Sequence, residues 1–428
     1  RSRSLRVVHI LVERHCLCRW QRLTRQSSGG TETVSEKYCA ERRGCITHVG
    51  PVWVHLGSLL EEESAVPVEM IGWIAPRVAS EIIAPVGPPF DSEVIAQTAQ
   101  IHEAAGFDRV LIGYFSDAPD GFMVGARAAA VTERLGFLLA HRPGFVAPTL
   151  AARKLATLDQ LCQGRLAVHL ISGGDDRDQA KDGDFLDHAG RYRRTEEYVQ
   201  ILHRTWTESV PFDVDGEFYR IEKAYSDIRC AQTPHIPLYG GGASDAAIAA
   251  LAPYLNVFML WGEPLADSAA FMQRVHSAAQ GNKKLTFSVS TRPILGKTEG
   301  QAWDRAQTIL DEIEKRTGKR TMKSPQNIGS QRLLDAADKQ EVYDSCLYMA
   351  LATASGARGN STALVGTPET VAQAMLAYYD IGATSLLIRG YDPLPDAIEY
   401  GEELIPRVRA LVAQRDATAA ANLSDENQ

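Results

Sequence analysis

From Val66 onward the chain alternates short apolar runs with amphipathic stretches, and it does so eight times. The runs are "VEMIGWIAP", "DRVLIGY", "GFLLAHR", "RLAVHLIS", "IPLYGGG", "NVFMLWG", "LTFSVSTRPIL" and "ATSLLIRGY". Each is too short for a buried helix and is followed by a segment of helical period, so each reads as a strand feeding a helix. Strands of this kind form a parallel sheet, and eight repeats imply a closed (β/α)8 TIM barrel. A doubly wound open sheet is the alternative. No GxGxxG follows the first strand, which argues against a dinucleotide-binding version of it.

One stretch, Arg142 to Asp176, shows the pattern in detail. Pro148 suits the first turn of a helix, and Leu150, Leu155, Leu158 and Leu161 recur at roughly helical spacing. Gly164 stops that helix, and "RLAVHLIS" follows as a strand. It ends in Ser172, Gly173 and Gly174, which present backbone amides at the carboxyl end, where barrels bind their ligands.

The chain's 428 residues allow a large core, and its net charge of −8 gives no basis for general nucleic-acid binding. No apolar run approaches the roughly 20 residues of a membrane-spanning helix. The first 60 or so residues differ from the rest. Ten basic and four acidic side chains give them about +6, against about −14 for the remainder. They also hold Cys16, Cys18, Cys39 and Cys45. Three readings compete: an organellar transit peptide, a zinc site built from the two cysteine pairs, and an extension without a folded role. The last is favoured, and no metal is expected in the body. Residues 1–65 are therefore expected to be disordered, 66–414 to form the barrel, and 415–428 to be a flexible tail. Within the barrel, the polar stretch 317–361 interrupts the repeat before the last strand and reads as a mobile lid, with Arg358 at its tip. Cys162, Cys230 and Cys346 are scattered among apolar neighbours, as expected of reduced thiols in the cytoplasm.

Several residues are candidates for chemistry. "GGGASDAA" ends one strand and opens a helix, so Gly242, Ala243 and Ser244 suit a phosphate cradle; a plain turn with Ser244 as N-cap is the competing reading. His188 and Tyr192 stand four apart, share a helix face and can both donate to a phosphate. His169 faces either the barrel centre or the helices. Arg292 shares a strand face with Ser290, and Arg389 with Tyr391. Cations gathered at one barrel mouth suggest an anionic ligand.

With those residues placed, the body resembles the flavin-dependent alkanesulfonate monooxygenases of the bacterial-luciferase-like superfamily. The resemblance covers about Met70 to Val412. It rests on "RPGFVAPTLAARKLATLDQLCQGR", "FLDHAGRY", "GGASDAA", "WGEP", "IGSQRLLDAA", "STALVGTPETVA" and "GYDPLPDAIEYGEELIP", in family order. It implies a luciferase-like barrel that takes reduced FMN from a separate NAD(P)H-dependent reductase. With molecular oxygen, such an enzyme cleaves a small organosulfonate to an aldehyde and sulfite. A homo-oligomer is expected, with no nucleic acid and no membrane as partner. By resemblance, His188 and Tyr192 hold the FMN phosphate, with Gly242, Ala243 and Ser244 as its turn. His169, Ser172 and Trp73 line the flavin site, and Arg358 and Tyr391 serve the substrate; Arg292 is added to the substrate site on its charge and strand-end position. The pattern departs from the family at Ala118, where a cysteine is usual, at Ser290 and Arg292, where Arg and His are usual, and at Arg77-Val78, where Thr-His is usual. FMN use is thus better supported than any one sulfonate. Two alternatives stay open: a luciferase-like flavin- or deazaflavin-dependent oxidoreductase acting on a non-sulfonate substrate, and a non-catalytic flavin-binding barrel.

Overall fold

The computed structural model describes residues 68–318, 325–357, 359 and 361–426, together with two short strands in the leader. Those two, Thr24–Ser27 and Gly30–Thr33, pair antiparallel. The chain divides into Arg1–Ser64 and Ala65–Gln428, and the second unit carries the features below. The cysteine pairs of the leader and residue Arg358 lie outside the described residues.

Eight strands form the barrel. They are β1 (Glu69–Ile74), β2 (Arg109–Ile112), β3 (Gly136–His141), β4 (Leu166–Leu170), β5 (Leu238–Gly241), β6 (Val257–Trp261), β7 (Thr286–Leu295) and β8 (Ala383–Ile388). Each pairs in parallel with the next. β8 then pairs in parallel with β1, so the ring closes and the open-sheet alternative falls away.

The outer ring of helices comprises α1 (Ser92–Ala104), α2 (Gly121–Ala129), α3 (Pro148–Leu161), α4 (His188–Thr207), α5 (Asp245–Leu251), α6 (Leu265–Ala278), α7 (Pro368–Asp380) and α8 (Ile405–Glu426). Their starts are encoded locally. Side-chain oxygens of Asp91, Asp120, Asp187, Ser244 and Thr367 accept first-turn amide hydrogen bonds. Pro148 opens α3 as expected. Gly164, at φ +78°, closes α3 by donating its N–H to the Asp159 carbonyl at 2.9 Å.

The sheet has two apolar faces. Met70, Val110, Leu139, Val168 and Phe258 pack outward in the main core beneath the helices. Ile71, Leu111, Leu138, Ala167, Tyr239 and Leu387 fill the barrel interior. A half-buried polar group closes the amino-terminal end, where Glu69 accepts hydrogen bonds from Arg109 and Tyr239, both at 2.9 Å. The carboxyl end remains as the ligand-bearing rim.

The interruption before β8 is larger than the sequence pattern implies. β7 is ten residues long. Its first half lies in the ring between β6 and β8, and Arg292–Leu295 leaves to pair with the strand Ala363–Gly366. That strand carries Leu347–Tyr348 and then Val342–Tyr343 in antiparallel order. Helix Glu299–Thr317, which the sequence suggests as the partner of β7, instead belongs to this side assembly. Its Ala302, Ala306, Ile309 and Ile313 bury against Ile294, Tyr348, Leu351 and Val365 in a small core of their own. α7 takes the ring position. Both helices are amphipathic, so periodicity alone does not separate them.

Candidate active site

The expected ligand residues gather at the carboxyl rim in three groups. The first joins the start of α4 to the turn after β5. The His188 and Tyr192 rings meet edge to face with centroids 5.0 Å apart, so the four-residue spacing does place them on one face. Tyr192 is buried, and burial raises its phenol to about 12, which keeps the proton on the hydroxyl. The hydroxyl lies against Gly242. A Cβ there would stand 2.7 Å from it and 2.6 Å from the Ala247 Cβ, at a φ of +155°. Only glycine lets the turn come this close. Partial desolvation, and then the Arg191 guanidinium, hold the exposed His188 below its usual pKa. Ser244 uses its hydroxyl as the N-cap of α5, accepting from Ala247 N at 3.1 Å. The plain-turn reading therefore holds for that side chain, leaving its backbone for a ligand. Arg274 of α6 donates to the Ala243 carbonyl at 2.8 Å and brings a cation that the sequence did not single out.

The second group lies inside the mouth. In β4, Leu166, Val168 and Leu170 pack in the outer core while Ala167 faces the interior, so His169 also points inward. Its Nδ1 is buried without a hydrogen-bond partner, and burial holds the ring at about 4, neutral at physiological pH. Ser172, just past β4, shares a 2.9 Å hydrogen bond with Thr195 of α4, which ties the end of β4 to the helix carrying Tyr192. Trp73 of β1 is half-buried and joins the interior cluster. A Cβ at Gly113 would stand 2.6 Å from its ring, so the loop after β2 also closes tightly on it.

The third group is cationic, and here the expectation for Arg292 needs correcting. Its guanidinium is 1% exposed, with its donors already occupied. Nη1 and Nη2 each meet Glu81 at 3.0 Å, Nε donates to the Arg389 carbonyl at 2.8 Å, and Nη2 also donates to the Gly390 carbonyl at 2.8 Å. Its carbon lies 3.7 Å from the centre of the Tyr391 ring. A guanidinium so engaged is structural and is not free to take an anion. Glu81 comes from the loop after β1, and the two arginines hold its carboxyl at about 2 against the opposing effect of burial. Tyr391 is buried, raised to about 12 by burial, and packs in the small core of the side assembly. Arg389 lies over the Trp73 ring at 4.9 Å.

Part of the side assembly covers the rim. Helix Ile328–Lys339 begins beside the loop after β4, where Asn327 packs on Gly174 and Gln326 accepts from Asp176 N at 3.3 Å. It then pairs Arg332 with Glu263, past the end of β6. A Cβ at Gly329 would stand 2.9 Å from the Trp261 ring. Among the described residues no His, Cys, Asp or Glu cluster could hold a metal ion, and no helix is long and apolar enough to cross a membrane.

The fold recurs in solved structures. EDTA monooxygenase from Chelativorans sp. BNC1 is 15% identical, with 82% of this chain and 94% of that one covered and a TM-score of 0.63. A riboflavin lyase, solved with modified FMN and riboflavin, is 17% identical over 80% of this chain and 92% of that one, with a TM-score of 0.67. DmoA from Hyphomicrobium sulfonivorans is 16% identical over 80% and 88%, with a TM-score of 0.65. At such identities the likeness is one of fold. The sequence profile of the luciferase-like monooxygenases matches residues 70–385, nearly the whole barrel, and the chain belongs to that family.

Proposed function

We propose that the protein is an FMN-dependent monooxygenase of a two-component system, acting on an organosulfonate or related organosulfur compound to give an aldehyde and sulfite. The observation that carries the cofactor assignment is the meeting of Tyr192, His188 and Gly242. A protonated phenol, an imidazole and a glycine turn form a cradle for a phosphate monoester, which distinguishes FMN from riboflavin. The unpartnered, inward-facing His169 Nδ1 suits the polar edge of a heteroaromatic ring, and Trp73 supplies an apolar wall. These residues fit a flavin.

Bound in that cradle, reduced FMN from a separate NAD(P)H-dependent reductase would supply the electrons for activating molecular oxygen. The chain's own residues bind and shield. Tyr391 stays protonated at neutral pH, so it is assigned to donating a hydrogen bond; it is not a base, and burial makes it a weak acid. The helix pinned by Arg332 and Glu263 is assigned to keeping water from the rim, and Arg358 to closing over the substrate. The sulfonate assignment is supported by the motif "IGSQRLLDAA", which forms that covering helix, and by the cationic rim.

A sulfite-release screen over alkanesulfonates of increasing length, with reduced FMN and oxygen, tests the reading. Substrate-dependent sulfite supports it. Oxygen consumption on other substrates without sulfite keeps the monooxygenase and removes the sulfonate. Turnover only with a deazaflavin removes FMN. Binding of FMN with no turnover on any substrate favours a flavin-carrying barrel.

A further inference from the structure

Glu81 is shared between two arginines on unequal terms. It grips Arg292 through both oxygens at 3.0 Å, whereas its nearest approach to Arg389 is 3.5 Å. Among the described residues it is the only carboxylate within ion-pair distance of either guanidinium. Two cations and one anion leave one positive charge uncompensated, and the geometry places it on Arg389. The Arg389 Nε is buried without a hydrogen-bond partner, and the guanidinium lies over the Trp73 ring. Burial, and then the neighbouring Arg292, bring Arg389 down to about 10, against a usual value near 12.5, so the group is charged but poorly stabilised where it sits. The neighbouring Tyr391 phenol is neutral and supplies no countercharge.

A half-buried cation with a buried, unpartnered donor is costly unless a ligand completes it. The donor lies on the interior face of the ring. In β8 the interior residue is Leu387, so residue 389 follows on the same side, next to Trp73 of β1. We propose that Arg389 is the specificity-determining residue for the substrate and takes a monoanionic headgroup, a sulfonate or a carboxylate. Arg292 and Glu81 act as positioning residues. Glu81 neutralises one of the two cations, so a single charge remains for the ligand and neutral analogues leave it unmatched. The proposal rests on the functional reading above only in taking the rim as the substrate's place.

Equilibrium titration separates the two. The full chain, with and without FMN, is titrated with 1-octanesulfonate, octanoate and 1-octanol by calorimetry and by tryptophan fluorescence. The wild type is expected to bind both anions more tightly than the alcohol by on the order of 10- to 100-fold. Arg389→Met is expected to remove that preference while leaving FMN affinity unchanged, and Arg389→Lys to restore part of it, since an ammonium lacks the planar fork. Equal binding of octanesulfonate and octanol by the wild type overturns the proposal, whatever the variants do. A loss of FMN affinity in Arg389→Met as large as its loss of anion affinity also overturns it, by assigning the residue to the flavin. Retained anion preference in a protein that binds no FMN supports Arg389 and removes the flavin reading instead.

Discussion

Replacing Tyr192 by Phe tests the cofactor cradle at a single atom. The ring is buried in the first turns of α4, with His188 edge-on against it, so it is already fixed and the variant keeps the same packing. What is lost is a hydroxyl lying against the Gly242 backbone. A hydrogen bond to a charged phosphate contributes roughly 1.5–3 kcal/mol, so the FMN dissociation constant should rise about 10–150-fold. Global stability should change by about 1 kcal/mol or less, since one oxygen is removed and no core methylene. Quenching of flavin fluorescence gives the FMN constant, and riboflavin, which lacks the phosphate, serves as the internal control. The variant and the parent should bind riboflavin equally. Equal weakening of both ligands would mean that Tyr192 shapes the ring pocket, and the phosphate assignment would be wrong. Gly242→Ala approaches the same point from the other side. Its Cβ would collide with that hydroxyl and with Ala247, and its φ of +155° costs a side chain on the order of 1–3 kcal/mol, so both stability and FMN affinity should fall.

Other consequences can be measured independently. Burial holds His102, His141, His169 and His203 at about 4, against a usual 6.5. Their folded pKa is the lower one, so the unfolded chain takes up protons first as pH falls. Stability should therefore drop between pH 6.5 and 4, each histidine adding up to about 1.4 kcal/mol per pH unit. Urea midpoints at pH 7.5 and pH 5 read this out, and a midpoint that rises on acidification would contradict it. A chain beginning at Val66 should melt within a few degrees of the full chain and bind FMN equally; a large loss would give the leader a folded role. Arg358→Ala should lower the sulfite formed per reduced flavin consumed, with hydrogen peroxide taking up the difference. Arg332→Ala, which frees the covering helix from Glu263, should act in the same direction, and paired sulfite and peroxide assays at saturating substrate decide both.

Much of the barrel is written locally. Short strands, capped helices and Gly164 each act within a few residues, and eight repeats leave few ways to close. The His188–Tyr192 pair was readable for the same reason, because four-residue spacing sets a helix face wherever the helix packs. Other features depend on distant partners. The sequence does not decide the direction of His169, because both faces of a barrel strand are apolar and period 2 does not say which is inside. Arg292 reads as a free strand-end cation, but its countercharge lies 211 residues away in a loop with no recognisable pattern. Helix Glu299–Thr317 has the right amphipathic period for the ring and packs elsewhere, because β7 runs on past the barrel. Arg274 gave no signal at all, since its contact with Ala243 depends on the relative placement of two helices.

The length of β7 has a mechanical consequence. On one flank its ladder with β8 ends at Thr291, which pairs with Ile388, while on the other its partner changes from β6, where Trp261 pairs with Ser290, to the side-assembly strand, where Ala363 pairs with Arg292. At such a splice two strands diverge, and the carbonyls just beyond the fork lose the amides a continuing ladder would give them. The Arg292 side chain supplies the missing donors, bonding the carbonyls of Arg389 and Gly390. A side chain thus stitches the fork shut, and Glu81 cancels the charge of the stitch. The side assembly cannot pivot at its root without unpicking this joint and stranding buried carbonyls. Any movement over the mouth must then arise farther out along the insertion, leaving the ring and its ligand residues undisturbed.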